Sequence, residues 1–90
     1  TDPPRELANP QPRYPYAALK RGLEGSVTVK FLIAPAGTVD QLEVLKRRGY
    51  SGFPKAVLKV LSKWRFTPPR HQGWPVSVWA VKTVEFRMSK

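Results

Sequence analysis

Three patterns of apolar and polar residues follow one another along the chain. From Gly25, residues Val27, Val29, Phe31 and Ile33 alternate with Ser26, Thr28, Lys30 and Leu32, which predicts a half-buried strand ending at the Pro35-Ala36-Gly37 turn. Val39, Leu42, Val44 and Leu45 predict a second strand, whose broken alternation is reconciled by a bulge near Gln41. The period then lengthens. Phe53, Val57, Val60, Leu61 and Trp64 fall at helical spacing while Lys55, Lys59 and Lys63 recur every four residues, so residues 53–64 are predicted as an amphipathic helix, with Ser51 as a candidate cap and Pro54 in its first turn. Pro68 and Pro69 keep residues 66–70 extended. After a Gln72-Gly73 turn, residues 74–88 are rich in β-branched and aromatic side chains and predict one long strand, with Pro75 at its start where a missing donor is tolerated.

Ahead of the first strand lie Pro3, Pro4, Pro10, Pro12 and Pro15, whose fixed φ and missing N–H groups favour extended chain. Residues 1–13 therefore read as the end of a proline-rich linker and residues 14–90 as the folded unit. Pro15 suits the first helical position, Ala17, Ala18, Leu19, Lys20 and Arg21 are helix formers, and Gly22 stops them. The predicted order is αββαβ. It specifies a two-layer α+β domain, with a three-stranded antiparallel sheet packed against one long helix and preceded by a short one.

Size and composition narrow the picture. A chain of 90 residues forms one small domain that buries only about 60–65% of the surface its unfolded form exposes. It has no cysteine, so neither disulfides nor a thiolate metal site can staple it. Sixteen Lys and Arg against six Asp and Glu give a formal charge of +10, which steers the domain toward anionic partners. No apolar run reaches the about 18 residues of a spanning helix. The first residue is Thr1 rather than methionine, so the chain is expected to be part of a longer protein.

Candidate chemistry divides into three classes. Catalysis is the poorest: the single histidine, His71, sits in a turn, and Asp40 and Glu43 are an odd number of positions apart on one predicted strand and so are expected on opposite faces. No metal-ligand cluster converges in sequence, so the domain is expected to be non-enzymatic and to hold no cofactor. Single-stranded nucleic-acid binding is the alternative. Gly49-Tyr50-Ser51-Gly52 follows Lys46, Arg47 and Arg48, a GxxG loop that resembles the clamp of KH domains, with Trp64, Trp74 and Trp79 as candidate stacking platforms. That reading requires helix before the loop, where residues 39–47 instead predict strand. The third class is strand addition: in a three-stranded sheet at least one edge is unpaired and can take an extended peptide, unless Lys82, Arg87 and Lys90 blunt it.

The residues from Gln11 onward decide among these. Gln11-Pro12-x-Tyr14-Pro15 followed by Ala17 and Ala18, the Gly22-x-x-Gly25 step into VTVKF, the Pro35-x-Gly37 turn, KWRFTPP closing the long helix and the final β-rich strand stand in the order and spacing of one family. From about Pro10 to Met88 the chain resembles the carboxy-terminal domain of the TonB family, periplasmic proteins that energise outer-membrane transporters. The resemblance implies that Gln11, Arg13, Tyr14 and Pro15 lie beside a short extended peptide of the transporter, the TonB box, and that Val76, Ser77, Val78, Trp79, Ala80, Val81 and Lys82 supply the strand edge it joins. It also implies a periplasmic location, an inner-membrane anchor and proline-rich spacer upstream, coupling to the proton-driven ExbB/ExbD motor, and a role in uptake of siderophores, haem or vitamins. Contact with cell-wall polymer and dimerisation of truncated forms are further expectations of the resemblance, and nucleic acid is not expected as a partner. Trp79 is core if it faces the helix and part of the peptide site if it faces outward.

Overall fold

A computed structural model describes residues 3–88. In chain order the elements are α1 (Tyr16–Arg21), β1 (Gly25–Ile33), β2 (Val39–Arg48), α2 (Phe53–Leu61), β3 (Arg70–His71), β4 (Trp74–Pro75) and β5 (Val78–Phe86). β1 is the middle strand of an antiparallel sheet ordered β2-β1-β5, as its strict alternation requires: Val27, Val29, Phe31 and Ile33 all point to one face and are buried. Under that face lie Phe53, Val57 and Leu61 of α2, spaced to form one helical stripe, together with Trp64 and Phe66 just beyond it and Val84 and Phe86 of β5. The outcome is the expected two-layer α+β domain. No charged or polar residue is buried among the described residues, so packing of apolar and aromatic side chains dominates the core.

An aromatic cluster closes one end. Phe53 and Phe86 stack with ring centroids 4.2 Å apart, and Tyr14 meets both rings edge-on at 5.8 and 5.5 Å. These contacts fasten the start of α2 to the end of β5, residues far apart in sequence.

The bulge expected near Gln41 is present. Between the pairs Lys30↔Glu43 and Leu32↔Asp40, two residues of β2 oppose Phe31 alone, and Gln41 takes a φ of 50°. A second irregularity at Leu45 separates Thr28↔Lys46 from Val29↔Val44. The first bulge overturns one expectation: Asp40 and Glu43 pair with Leu32 and Lys30, which are two apart, so both carboxylates lie on the same exposed outer face.

Four local boundaries also differ from the sequence reading. Pro15 precedes α1 as its cap residue instead of entering it, while Gly22 ends the helix as expected, in the left-handed conformation with φ 68°. Gly52, not Ser51, caps α2, and no side chain bonds the cap. The helix stops at Leu61 because Ser62 turns its hydroxyl back to the Lys59 carbonyl and the chain tightens into three-residue turns, Lys63 N to Val60 O and Trp64 N to Leu61 O. The strand predicted for residues 74–88 is divided. Gln72 and Gly73 have φ of 52° and 83°, the two successive left-handed residues of a tight hairpin turn, so Arg70-His71 folds onto Trp74-Pro75. Val76 then donates to the Pro69 carbonyl at 3.0 Å, and only from Val78 does the chain join the main sheet.

Much of the segment expected as linker is hydrogen-bonded to the folded unit. Leu7 N donates to Arg65 O at 3.1 Å and Thr67 N to Arg5 O at 2.9 Å. The Asn9 amide exchanges two bonds with the Arg65 backbone, at 2.9 and 2.8 Å. Trp64 Nε1 donates to Pro10 O at 2.7 Å. Residues 5–10 thus form a strap against residues 64–67, which on their other side bond the β1–β2 turn through Phe66 N to Gly37 O.

Candidate functional site

The sheet has two outer edges, and they are not equivalent. β5 pairs with β1 through nine consecutive residues, Gly25↔Phe86 to Ile33↔Val78, without a register shift. Its other edge is open, so every second residue turns its N–H and C=O away from β1, evenly spaced along an unbroken strand. β2 is kinked twice by its bulges, which twist an edge and spoil it as a template. The edge able to take an extended chain is therefore that of β5.

Side chains of β5 follow from its register. Val78, Ala80, Lys82, Val84 and Phe86 oppose buried positions of β1 or its first residue and face the helix layer. Trp79 opposes Leu32 and faces outward, 52% exposed, with Lys30 Nζ 4.7 Å from its ring centroid. Lys82 faces inward: its Nζ lies 3.7 Å from Glu6 of the strap and 5.7 Å from the Trp64 ring centroid. An inward-pointing charge on an edge strand hinders unspecific edge-to-edge pairing, and here it also ties the strap to the strand.

The strap runs beside β5 in the helix layer. Pro10 is fixed by Trp64, which Lys82 overhangs, and Tyr14 is fixed by Phe86. Residues 11–13 run between these two anchors, where Gln11 and Arg13 border α2 near Lys55 and Lys59. Gln11 and Arg13 are exposed there, and Gln11 makes no hydrogen bond among the described residues. Tyr14 is half-buried and donates its hydroxyl to the Leu23 carbonyl. Burial, and secondarily the Glu24 carboxylate, push its phenol pKa above the usual value, so the neutral donor form is favoured. Pro15 caps α1. Of the residues named from the sequence, Gln11, Arg13, Tyr14 and Pro15 come together along one groove beside α2. Val78, Trp79, Ala80, Val81 and Lys82 form a continuous edge, whereas Val76 and Ser77 precede it and the Val76 N–H is already engaged by Pro69. The edge is joined to the strap through the Lys82–Glu6 ion pair.

Residues 10–16 and α2 border an open groove of about 740 Å³, lined by Pro10, Gln11, Arg13, Tyr14, Pro15 and Tyr16, by Tyr50 and Gly52, and by Lys55, Ala56, Lys59 and Val60. Sequence reasoning missed Tyr16, Tyr50, Lys55 and Lys59 as lining residues, and missed Glu6 and Trp64 as strap anchors. Trp64 and its Pro10 partner are 54 positions apart, and no local pattern signals such a pair.

The nucleic-acid alternative loses its footing. Residues 39–48 are strand, not helix. Gly49 is required because a side chain there would collide with the Glu24 carbonyl, and at Gly52 a Cβ would stand 2.5 Å from the Tyr50 ring, so both glycines of the loop serve packing. Trp64 is fully buried and cannot stack on a base. Trp74 lies in the β3–β4 hairpin, which is a separate sheet from the one that holds Trp79. Among the described residues no cluster of His, Cys, Asp or Glu is placed to hold a metal ion, and no helix is long and apolar enough to cross a membrane.

Comparison with known proteins agrees with this geometry. Residues 10–88 match the family described as Gram-negative bacterial TonB protein C-terminal. Protein TonB of Klebsiella pneumoniae is 33% identical over 86 residues, 96% of this chain and 33% of that protein. Protein TonB of Escherichia coli K12 is 37% identical over 65 residues, 72% of this chain and 27% of that protein. The chain thus spans about a third of the length of these relatives. The solution NMR structure of the Pseudomonas aeruginosa TonB CTD superposes with a TM-score of 0.85 at 33% identity, covering 100% of this chain and 91% of that one.

Proposed function

The chain belongs to the family of Gram-negative bacterial TonB carboxy-terminal domains, and from that premise we propose that β5 receives the TonB-box peptide of an outer-membrane transporter as an added strand. The observation that carries this is the contrast between edges: nine unbroken pairings leave β5 regular, while β2 is bulged twice. Docking begins at Val78 and runs toward Phe86. Trp79 and Val81 flank the peptide from the outer face.

A seven-residue peptide engages about six backbone bonds along such an edge, each worth about 0.5–1.5 kcal/mol net. After ordering costs this supports affinities of about 1–100 μM. Strength at equilibrium is not the relevant quantity. Pulling along a paired strand loads its bonds together, so a weak complex resists force long enough to move a transporter's plug. In this scheme the full-length protein is anchored in the inner membrane, spans the periplasm, and passes proton-driven force from an ExbB/ExbD motor to the transporter. That force supports uptake of a siderophore, haem or vitamin cargo, which this domain does not touch. Force arriving from upstream enters at the strap, whose bonds at Arg5, Leu7, Asn9 and Pro10 transmit it to the body of the domain.

A series of TonB-box peptides N-methylated one position at a time tests the pairing. Affinity is expected to fall about tenfold at alternate positions, where a bond is lost, and to hold at those between. Equal affinity throughout the series contradicts strand addition.

A further inference from the structure

We propose that the groove between the strap and α2 is a second binding site, for an extended acidic peptide of a partner protein carrying two carboxylates separated by one residue. The groove shares Gln11, Arg13, Tyr14 and Pro15 with the segment set beside the TonB box, but no residue of β5 lines it, and Tyr16, Lys55 and Lys59 belong to it alone.

Charge points to the ligand. Arg13, Lys55 and Lys59 line the groove and no carboxylate does. The ion pairs among the described residues engage only Lys82 and Arg87, leaving these three cations without a counter-charge from the chain. Like charges one helical turn apart disfavour a helix, and α2 carries no acidic residue to pair with Lys55 or Lys59.

Spacing points to an extended chain. Residues four apart on a helix are separated by about 6 Å along its axis, and alternate side chains of an extended peptide by about 6.5–7 Å. Two carboxylates at positions i and i+2 therefore meet Lys55 and Lys59 in step, while adjacent ones point to opposite sides.

The walls are rigid, which lowers the cost of ordering a ligand between them. Tyr50 is held edge-on to Phe53 at 5.5 Å and rests where Gly52 has no side chain. Pro10 is fixed by Trp64 and Tyr14 by two phenylalanines. Tyr16, 74% exposed, projects from the first residue of α1 without packing on the core, an arrangement with a use if its ring closes over a bound chain.

The test uses fluorescence anisotropy of the 90-residue protein with fluorescein-labelled Ser-Gly-Glu-Thr-Glu-Gly-Ser, a Gln-Thr-Gln counterpart, and an isomer whose glutamates are adjacent. Binding is expected only for the first. The double variant Lys55→Glu/Lys59→Glu should lose about tenfold or more in affinity and gain affinity for a Lys-Thr-Lys peptide. Tyr16→Ala should weaken binding, while Lys63→Glu, outside the groove, should not. Melting temperatures of the variants establish that each is folded. Equal binding of the adjacent-glutamate isomer, equal loss in Lys63→Glu, or no binding of the first peptide at about 1 mM would overturn the proposal.

Discussion

Trp64→Phe is the substitution that isolates the strap. The indole is fully buried and its Nε1–H donates to Pro10 O at 2.7 Å. Phenylalanine cannot donate, so a part-buried carbonyl loses its partner, at a cost of about 1 kcal/mol given that water can partly replace it. The smaller ring leaves about 35 Å³ unfilled, which at ~24 cal/mol per Å³ adds ~0.8 kcal/mol. The sum, about 2 kcal/mol, lowers Tm by roughly 8–16 °C for a domain of this size. Global unfolding is only half of the expectation. Because Pro10 is the strap's link to the core, amide exchange at Leu7 and Thr67, which bond Arg65 and Arg5 across the strap, should accelerate more than exchange in β1. Thermal unfolding and NMR-detected hydrogen exchange read the two effects separately. A Tm change below about 3 °C with unaltered protection at Leu7 and Thr67 would refute the argument that the indole holds the strap.

Three further outcomes follow from the same geometry. Gln11→Ala should weaken TonB-box binding while changing stability by no more than about 0.5 kcal/mol, since its side chain is exposed and bonds nothing; equal loss of stability would make it structural. Lys82 and Glu6, with side chains 37% and 42% exposed, should show a coupling of about 0.2–1 kcal/mol in a Lys82→Met and Glu6→Gln double-mutant cycle, diminishing at about 1 M salt; a salt-independent coupling contradicts a screened ion pair. Tyr14 has a folded-state pKa above 10.0, so the folded protein holds that proton more tightly than the unfolded one. The stability difference between wild type and Tyr14→Phe should accordingly be level below about pH 10 and shrink as pH rises through the folded-state value. A difference that grows above pH 10 would reverse the assigned sign.

Elements were legible in the sequence where one face is buried and the period is local. β1 alternates without exception because it is the central strand, and the fault in the alternation of β2 located its bulge. Legibility ended where pairing partners are remote. The Gln72-Gly73 turn was recognisable, yet whether residues after it pair back onto Arg70-His71 or onto β1 depends on which partner lies closer in the folded chain. The outward position of Trp79 is set by its register with Leu32, which sequence does not specify. The prolines near the amino terminus announced extended chain, but extended chain in a linker and in a strap looks alike; only the Trp64–Pro10 and Asn9–Arg65 contacts distinguish them. The candidate site suffered most from this, because Gln11 and Arg13 share a groove with Lys55 and Lys59, more than forty positions away in the chain.

The central claim is that β5, and not β2, receives the peptide. An NMR titration of the uniformly labelled domain with a TonB-box peptide, followed by measurement of interstrand proton contacts, addresses it directly. The account predicts peptide contacts at alternate residues of β5, with accompanying shifts at Gln11 and Arg13 and silence along β2. Contacts along β2, or shifts at the residues of the groove with none along β5, would contradict it.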